Sequence, residues 1–209
     1  MKLRDSCRIQ GVLLILVYYI INLENLKAYF SSQGFASAEI DLIASSFEHK
    51  LLKKGDYFVQ EGKTSRFLGF IDKGFLQYYI NLDGEEKTTY SVGDGNFVVS
   101  LVSFFKEIPA RENIRAVMDT SLWIIEKSDL TNLQNLIPAF KNFYIGILEW
   151  QICCIDESRL DSLVLSAQER YLKMLNKEPE IIRKIPMQYL ASILGITPRH
   201  LSRIRNEIR

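Results

Sequence analysis

The C-terminal segment PMQYLASILGITPRHLSRIRNEIR, residues 186–209, tightly restricts the folds open to this chain, because its small, glycine and apolar residues follow a fixed spacing. The spacing comprises, in order, Ala191, Gly195, Ile196, Leu201 and Ile204. This pattern is typical of a helix-turn-helix, in which two helices cross at a small residue and are joined by a short turn. Glycine suits the turn because it adopts the left-handed conformation without strain.

The residues at the helix ends fit the same interpretation. We predict a first helix over Met187–Leu194, a break at Gly195 and a second helix from Pro198 onward. Thr197 is a good N-cap, and proline at the first helical position lacks only an N–H that would be unpaired there. We expect a small core from Leu190, Leu194, Ile196, Leu201 and Ile204.

The second helix then keeps an outward face that is rich in hydrogen-bond donors. Residues 183–209 carry six basic residues against Glu207 alone, whereas the whole chain has a net charge of only +1. Arginine pairs with guanine O6 and N7, asparagine with adenine, and a Thr or Ser near the helix N-terminus with phosphate. We predict DNA contacts from Thr197, Pro198, Arg199, Ser202, Arg203, Arg205 and Asn206. The alternative is a solvated face with no partner.

Roughly a hundred residues after Glu48 differ in character, since short β-branched and aromatic runs alternate with glycines. Asp83-Gly84 between FLQYYI and EKTTYSV predicts a tight hairpin. Several short strands without long helices between them favour an antiparallel sandwich or barrel. We therefore predict an α+β protein whose N-terminal half is an antiparallel β-roll.

Helical patterns flank this region. Apolar spacing predicts two short helices between Glu24 and Glu48, and one long helix from Pro138 to about Leu163. Its broad apolar stripe favours a dimer seam, with packing inside one subunit as the alternative. Ser166 and Glu169 form a capping-box pattern for a further helix that ends before Pro179. We expect four segments, which are an apolar N-terminal extension (1–22), the β-roll domain (23–130), the connecting dimerisation helix (131–164) and the helix-turn-helix domain (165–209).

The N-terminal extension contains the apolar run GVLLILVYYII, residues 11–21, after a mildly basic start. The run is too short to span a bilayer as a helix, and no small-residue cleavage site follows it. A membrane tether or export signal is thus the less favoured interpretation, beside a buried helix or an upstream extension. Cys7, Cys153 and Cys154 form no C-x-x-C pair, so we expect a reducing compartment and a cytoplasmic protein.

Enzymatic and metal-dependent functions are disfavoured by the residues present. His49 and His200 fall in different predicted domains, and no nucleophile is paired with a base. No phosphate-binding G-x-x-x-x-G-K-[ST] loop occurs in the sequence. Two histidines and three cysteines make a zinc or iron–sulfur site improbable, so we predict no catalytic residues and no metal.

From about Leu23 the chain resembles the Crp/Fnr family of bacterial transcription regulators. The resemblance lies in KKGDYFVQEG, in FIDKGFLQYYINLDGEE and in the ending LASILGITPRHLSRIR, where Ser202-Arg203 matches a Ser-Arg pair common in the family's recognition helix. It implies a cyclic-nucleotide-binding-like β-roll of the jelly-roll type, a dimerisation helix and a DNA-binding helix-turn-helix. It also implies a homodimer that contacts RNA polymerase and senses a small-molecule effector.

Two departures from the family affect the ligands that we expect. In members that bind cyclic AMP, a Gly-Glu-Leu holds the ribose, and a later Arg-Ser or Arg-Thr pairs with the phosphate. In this chain the first motif reads Val99, Ser100, Leu101. Arg111 is the residue that could still bind an anion. The changed first motif argues against cyclic AMP and leaves the effector unidentified. In the recognition helix, Arg199 replaces a common Glu, so the DNA half-site should differ from the family's best-known one.

Our primary hypothesis is a homodimeric, sequence-specific regulator that reads a roughly palindromic site. The rival hypothesis is a small-ligand sensor that acts through protein contacts, with the C-terminal helices as a docking module. Salt dependence separates the two, because DNA binding through several phosphates weakens steeply with salt.

Overall fold

The computed structural model describes residues 23–177 and 179–208, in which two antiparallel sheets precede a long helix and a set of C-terminal helices. The helices are α1 (23–32), α2 (Ser37–Ser45), α3 (Leu101–Lys106), α4 (Lys127–Leu136), α5 (Pro138–Val164), α6 (Ala167–Lys177), α7 (Pro179–Lys184), α8 (Met187–Ile193) and α9 (Pro198–Glu207). The strands are β1 (Glu48–Leu52), β2 (Tyr57–Val59), β3 (Phe67–Lys73), β4 (Phe75–Leu82), β5 (Glu85–Gly93), β6 (Phe97–Val98), β7 (Asn113–Ala116) and β8 (Thr120–Glu126).

The strands form two four-stranded sheets, ordered β1-β8-β3-β6 and β2-β7-β4-β5, and every pairing is antiparallel. The predicted antiparallel β-roll is therefore confirmed. The predicted hairpin joins β4 to β5, with φ of 53° at Asp83 and 81° at Gly84. Positive φ at both central residues is the conformation whose twist matches two paired strands.

Two hydrophobic cores stabilise the roll. One lies between the sheets and includes Ile71, Leu76, Ile114 and Leu122, each fully buried. The other lies where α1, α2, α4 and the start of α5 cover the first sheet, around Phe30 and Trp123 among others. The two predicted N-terminal helices are thus part of the β-roll domain, because their apolar faces complete its core.

The predicted connecting segment 131–164 is not one helix. Residues up to Leu136 belong to α4, Ile137 is extended with φ −123° and ψ 97°, and α5 begins at Pro138. Proline disfavours a helical conformation in the residue before it, which explains the break. The long helix itself, Pro138–Val164, agrees with the prediction.

The C-terminal helices pack on a third core and contact the roll directly. Phe75 of β4 lies in this core together with residues of α6 to α9. The backbone N–H of Thr88 in β5 donates to Ser192 Oγ in α8 at 2.8 Å. The predicted capping box is also present, since Ser166 N–H donates to a Glu169 carboxylate oxygen at 2.8 Å and Glu169 N–H donates to Ser166 Oγ at 3.3 Å.

Within residues 23–177 and 179–208, no helix combines the length and the apolar character needed to cross a bilayer. The apolar run at 11–21, and any tether or signal formed by it, lies outside the described residues.

Candidate functional site

The turn between α8 and α9 has the geometry that its sequence predicts. Gly195 adopts φ +68°, and its N–H donates to Ser192 O at 3.0 Å. Ile196 N–H donates to Ala191 O at 2.9 Å. These two bonds form a Schellman motif, which satisfies carbonyls left unpaired at the end of α8 and fixes the direction of the chain into α9.

The start of α9 is equally well defined. Thr197 is extended, and its side-chain oxygen accepts a hydrogen bond from His200 N–H at 3.2 Å, while Pro198 occupies the first helical position. Both features were predicted, and both stabilise the N-terminal turn of the helix without using its outward face.

A small buried core holds the two helices at a fixed angle. Leu190, Ala191 and Leu201 are completely buried, and Leu194 and Ile204 are 1% and 2% exposed. Ile196 packs partly buried against them. The complete burial of Ala191 in this core agrees with the prediction of a small residue where the helices cross. Because this core fixes the orientation of α9 relative to α8, it also fixes the direction in which the opposite face of α9 points.

That opposite face contains most of the predicted DNA-binding residues. The exposed members are Thr197, Pro198, Arg199, Arg203 and Asn206. Ser202 is half-buried at the edge of the face. Arg203 Nε lies 3.7 Å from Glu207 Oε1, in a pair whose side chains are 69% and 52% exposed. Such an exposed pair contributes at most about 1 kcal/mol, so it does not prevent Arg203 from meeting a base.

Arg205 differs from the other predicted residues. Its guanidinium lies 5.8 Å from the ring centroid of Tyr171 in α6, and its Nε is buried without a hydrogen-bond partner within the described chain. This cation–π contact ties the last turn of α9 to the core of the domain. Arg205 therefore has a structural role that the spacing of the sequence did not indicate.

A second candidate site is a cavity of about 680 Å³ between the roll, α5 and the C-terminal helices. Its volume is within the usual range of small-molecule sites. Val99 and Leu101, two of the predicted effector residues, line it. Arg111 is exposed and is not among the residues that line it, so its contact with an anion stays a prediction.

The acidic residue next to Arg111 takes its place. Glu112 lines the cavity, and its Oε1 accepts a hydrogen bond from Ser100 Oγ at 2.9 Å. Ser100 is 2% exposed and caps α3 only through its backbone, since its hydroxyl is turned toward Glu112. The loop before β7 thus presents a carboxylate where the family resemblance led us to expect a basic group.

Tyr78 of β4 fixes the wall of the cavity beside this pair. Its hydroxyl donates to Val99 O at 3.3 Å and accepts from Val99 N–H at 3.1 Å. Burial raises the pKa of Tyr78 far above its ordinary value, and Tyr90 and Glu112 act in the same direction. The hydroxyl therefore stays neutral and holds the backbone of Val99 in place.

The comparisons with known proteins agree with this architecture. Residues 49–135, from β1 into α4, match the family described as the cyclic nucleotide-binding domain. This part of the chain is similar to cyclic nucleotide-binding domains. The matched region contains both sheets apart from Glu48 of β1, and the long helix and the helix-turn-helix follow it.

Over a longer stretch, the chain is 24% identical to the cyclic AMP receptor protein of Thermus thermophilus, across 179 residues that cover 82% of this chain and 81% of that protein. The structure is similar to FixK2 from Bradyrhizobium japonicum, with a TM-score of 0.65, 16% identity and coverage of 78% and 84% of the two chains. It is also similar to a protein assigned to the Crp/Fnr family from Eubacterium rectale, with a TM-score of 0.58, 21% identity and coverage of 84% of each chain. The predicted resemblance and fold class are confirmed.

Proposed function

We propose that this protein is a homodimeric, sequence-specific DNA-binding transcription regulator of the Crp/Fnr type. The observation that supports it best is the outward face of α9, which carries two exposed arginines on a helix that a buried core and a Schellman turn hold rigidly. Rigid presentation matters because a bidentate contact to a base edge requires a fixed approach.

In this proposal α9 enters the major groove with its N-terminal half toward the bases. Arg199 and Arg203 are four residues apart and therefore share one helical face. Each donates to guanine O6 and N7, Asn206 pairs with adenine or phosphate, and Thr197 lies near the DNA backbone. Each good bidentate pair discriminates against a wrong base by about 1–3 kcal/mol.

The exposed surface of α5 supports the proposed dimer. Apart from buried Phe140, this helix of 27 residues has no fully buried side chain within the described chain. Several of its large apolar side chains are strongly exposed, notably Ile152 at 66% and Leu163 at 73%. Pairing α5 with α5 of a second copy covers these side chains, and it places two α9 helices on one side of the dimer. Half-sites then lie about 34 Å apart along the DNA.

Regulation requires an effector that binds one arrangement of the domains better than another. The cavity suits this role because the roll, α5 and α6 all line it. The contact between Thr88 and Ser192 gives the roll a direct link to α8. By the family resemblance, RNA polymerase is the further partner of the DNA-bound dimer.

The proposal is tested by fluorescence anisotropy, which measures the affinity of the protein for a labelled DNA fragment that contains its binding site. Arg203→Ala should weaken specific binding by about 1–3 kcal/mol and relax the preference at one base pair. Arg66→Ala is the matched control, since Arg66 is equally exposed on the roll, where it pairs with Glu126 at 3.3 Å. Wild-type affinity should also fall steeply with salt. Unchanged affinity and preference in Arg203→Ala, or salt-independent binding, would support the rival role as a protein-docking sensor instead.

A further inference from the structure

The wall that the roll contributes to the cavity is almost entirely apolar. Its side chains include Tyr78, Tyr90, Phe97, Val99, Leu101 and Phe105. A ligand gains affinity here by burying hydrocarbon or ring surface. Polar recognition is left to few groups, as is usual in small-molecule sites.

Glu112 is the acidic group in this wall. Glu112 accepts a hydrogen bond from the Ser100 hydroxyl, which is a neutral donor. Among residues 23–177 and 179–208, Glu112 forms no ion pair. Glu112 is half-buried, and its charge acts on the neighbouring Tyr78. A carboxylate in such surroundings favours a cationic partner and repels an anion.

The basic side chains that line the cavity are Arg170, Lys173 and Lys177, and all three lie on α6, at its other end. Lys173 Nζ pairs with Asp161 Oδ2 at 2.6 Å, and Glu157 raises the pKa of the same lysine further. Arg170 donates to the carbonyl of Leu194 at 2.8 Å. Glu157 and Asp161 of α5 line the same end, so acidic and basic side chains lie together there, whereas the roll contributes no basic side chain to the cavity lining beside Glu112.

We infer that the cavity binds an amphipathic cation, with an apolar body against the aromatic wall and an ammonium or amidinium group paired with Glu112. The inference rests on the proposed role of the roll as an effector sensor, and it names the chemical class of the effector. Anionic ligands, including cyclic nucleotides, are selected against because a carboxylate lies at the charged position.

Isothermal titration calorimetry of the full-length protein at pH 7.5 tests the inference with octylamine, octanoate and octan-1-ol as probes. The three share an eight-carbon chain and differ in head-group charge, and octylamine is protonated at this pH. Octylamine should bind about tenfold or more tightly than octan-1-ol, and octanoate more weakly than both. Cyclic AMP should give no saturable heat.

Two variants identify the carboxylate that is responsible for the preference for octylamine. Glu112→Gln should reduce the preference for octylamine over octan-1-ol to about threefold or less, with octan-1-ol affinity unchanged as evidence of an intact cavity. Glu157→Gln makes the same charge change at the α6 end and should leave the preference intact. Equal loss in both variants would show only general attraction to an acidic surface and would overturn the inference.

Tighter binding of octanoate or cyclic AMP, or an unchanged preference in Glu112→Gln, would also overturn it. DNA binding is measured separately without probe, so the two proposals fail independently. A protein that prefers octylamine but binds no DNA contradicts the proposed regulator, whereas one that binds DNA but prefers anions contradicts only the ligand class.

Discussion

Replacing Gly195 with alanine tests whether the turn of the helix-turn-helix depends on a left-handed residue. Gly195 has φ +68°, and a Cβ added there would meet no heavy atom within 4 Å. The cost is therefore conformational rather than steric. A left-handed L-residue costs about 1–2 kcal/mol, and the lower entropy of the unfolded chain returns about 0.4–1 kcal/mol. We expect Gly195→Ala to lower the free energy of unfolding by about 1 kcal/mol.

Gly34 provides a matched control at the end of α1. It has φ +85° and equally open surroundings, and the bonds Gly34 N–H to Ser31 O and Phe35 N–H to Phe30 O repeat the motif of the turn. Gly34→Ala should cost a similar free energy by the same mechanism. It lies in the roll, however, so DNA affinity at low temperature should respond only to the substitution at Gly195.

The assay is equilibrium urea unfolding followed by circular dichroism, with anisotropy on folded protein for DNA affinity. Gly195→Asn should lie between wild type and alanine, because asparagine tolerates the left-handed region better than alanine. If Gly195→Ala equalled or exceeded the wild type in stability, the turn would not require a left-handed residue. The account of the motif would then be wrong.

Three further outcomes follow from particular contacts. Arg205→Ala should lower the free energy of unfolding by about 0.5–1 kcal/mol, because the contact with Tyr171 is lost. The same variant should bind all DNA sequences more weakly, to a similar degree. Unchanged stability would refute the stacking role. Ile152→Glu should convert a dimer to a folded monomer in sedimentation velocity, and a persistent dimer would exclude α5 as the seam. Burial lowers the pKa of His49 from its ordinary 6.5, so the unfolded chain binds the proton first and stability should fall as pH drops below about 6.5. His49→Gln should reduce that fall, as urea titrations at pH 8 and 5.5 would show.

The features predicted correctly from sequence are those set by local chemistry. The turns at Gly195 and Asp83-Gly84 require positive φ, which these residue types tolerate, and Thr197-Pro198 marks a helix start without reference to the rest of the fold. The buried core of the motif followed from periodicity alone, because helix geometry fixes which residues share a face.

The features that sequence analysis missed depend on residues distant in the chain or on loop geometry. Nothing near Arg205 indicates that Tyr171 lies beneath it, and nothing near Phe75 indicates that this strand residue joins the C-terminal core. Sequence analysis named Arg111 and not its neighbour Glu112, because the conformation of the loop determines which of the two side chains faces the cavity. The short helices α4 and α7 carry weak local signals and were absorbed into adjacent segments.

Selection of bound fragments from a random DNA pool by the full-length protein tests the central claim most directly. We predict enrichment of two inverted half-sites about one helical turn apart, with a guanine in each that loses its preference in Arg199→Ala or Arg203→Ala. Failure to enrich any sequence, or enrichment that both variants leave unchanged, would contradict the assignment of α9 as a DNA-reading helix.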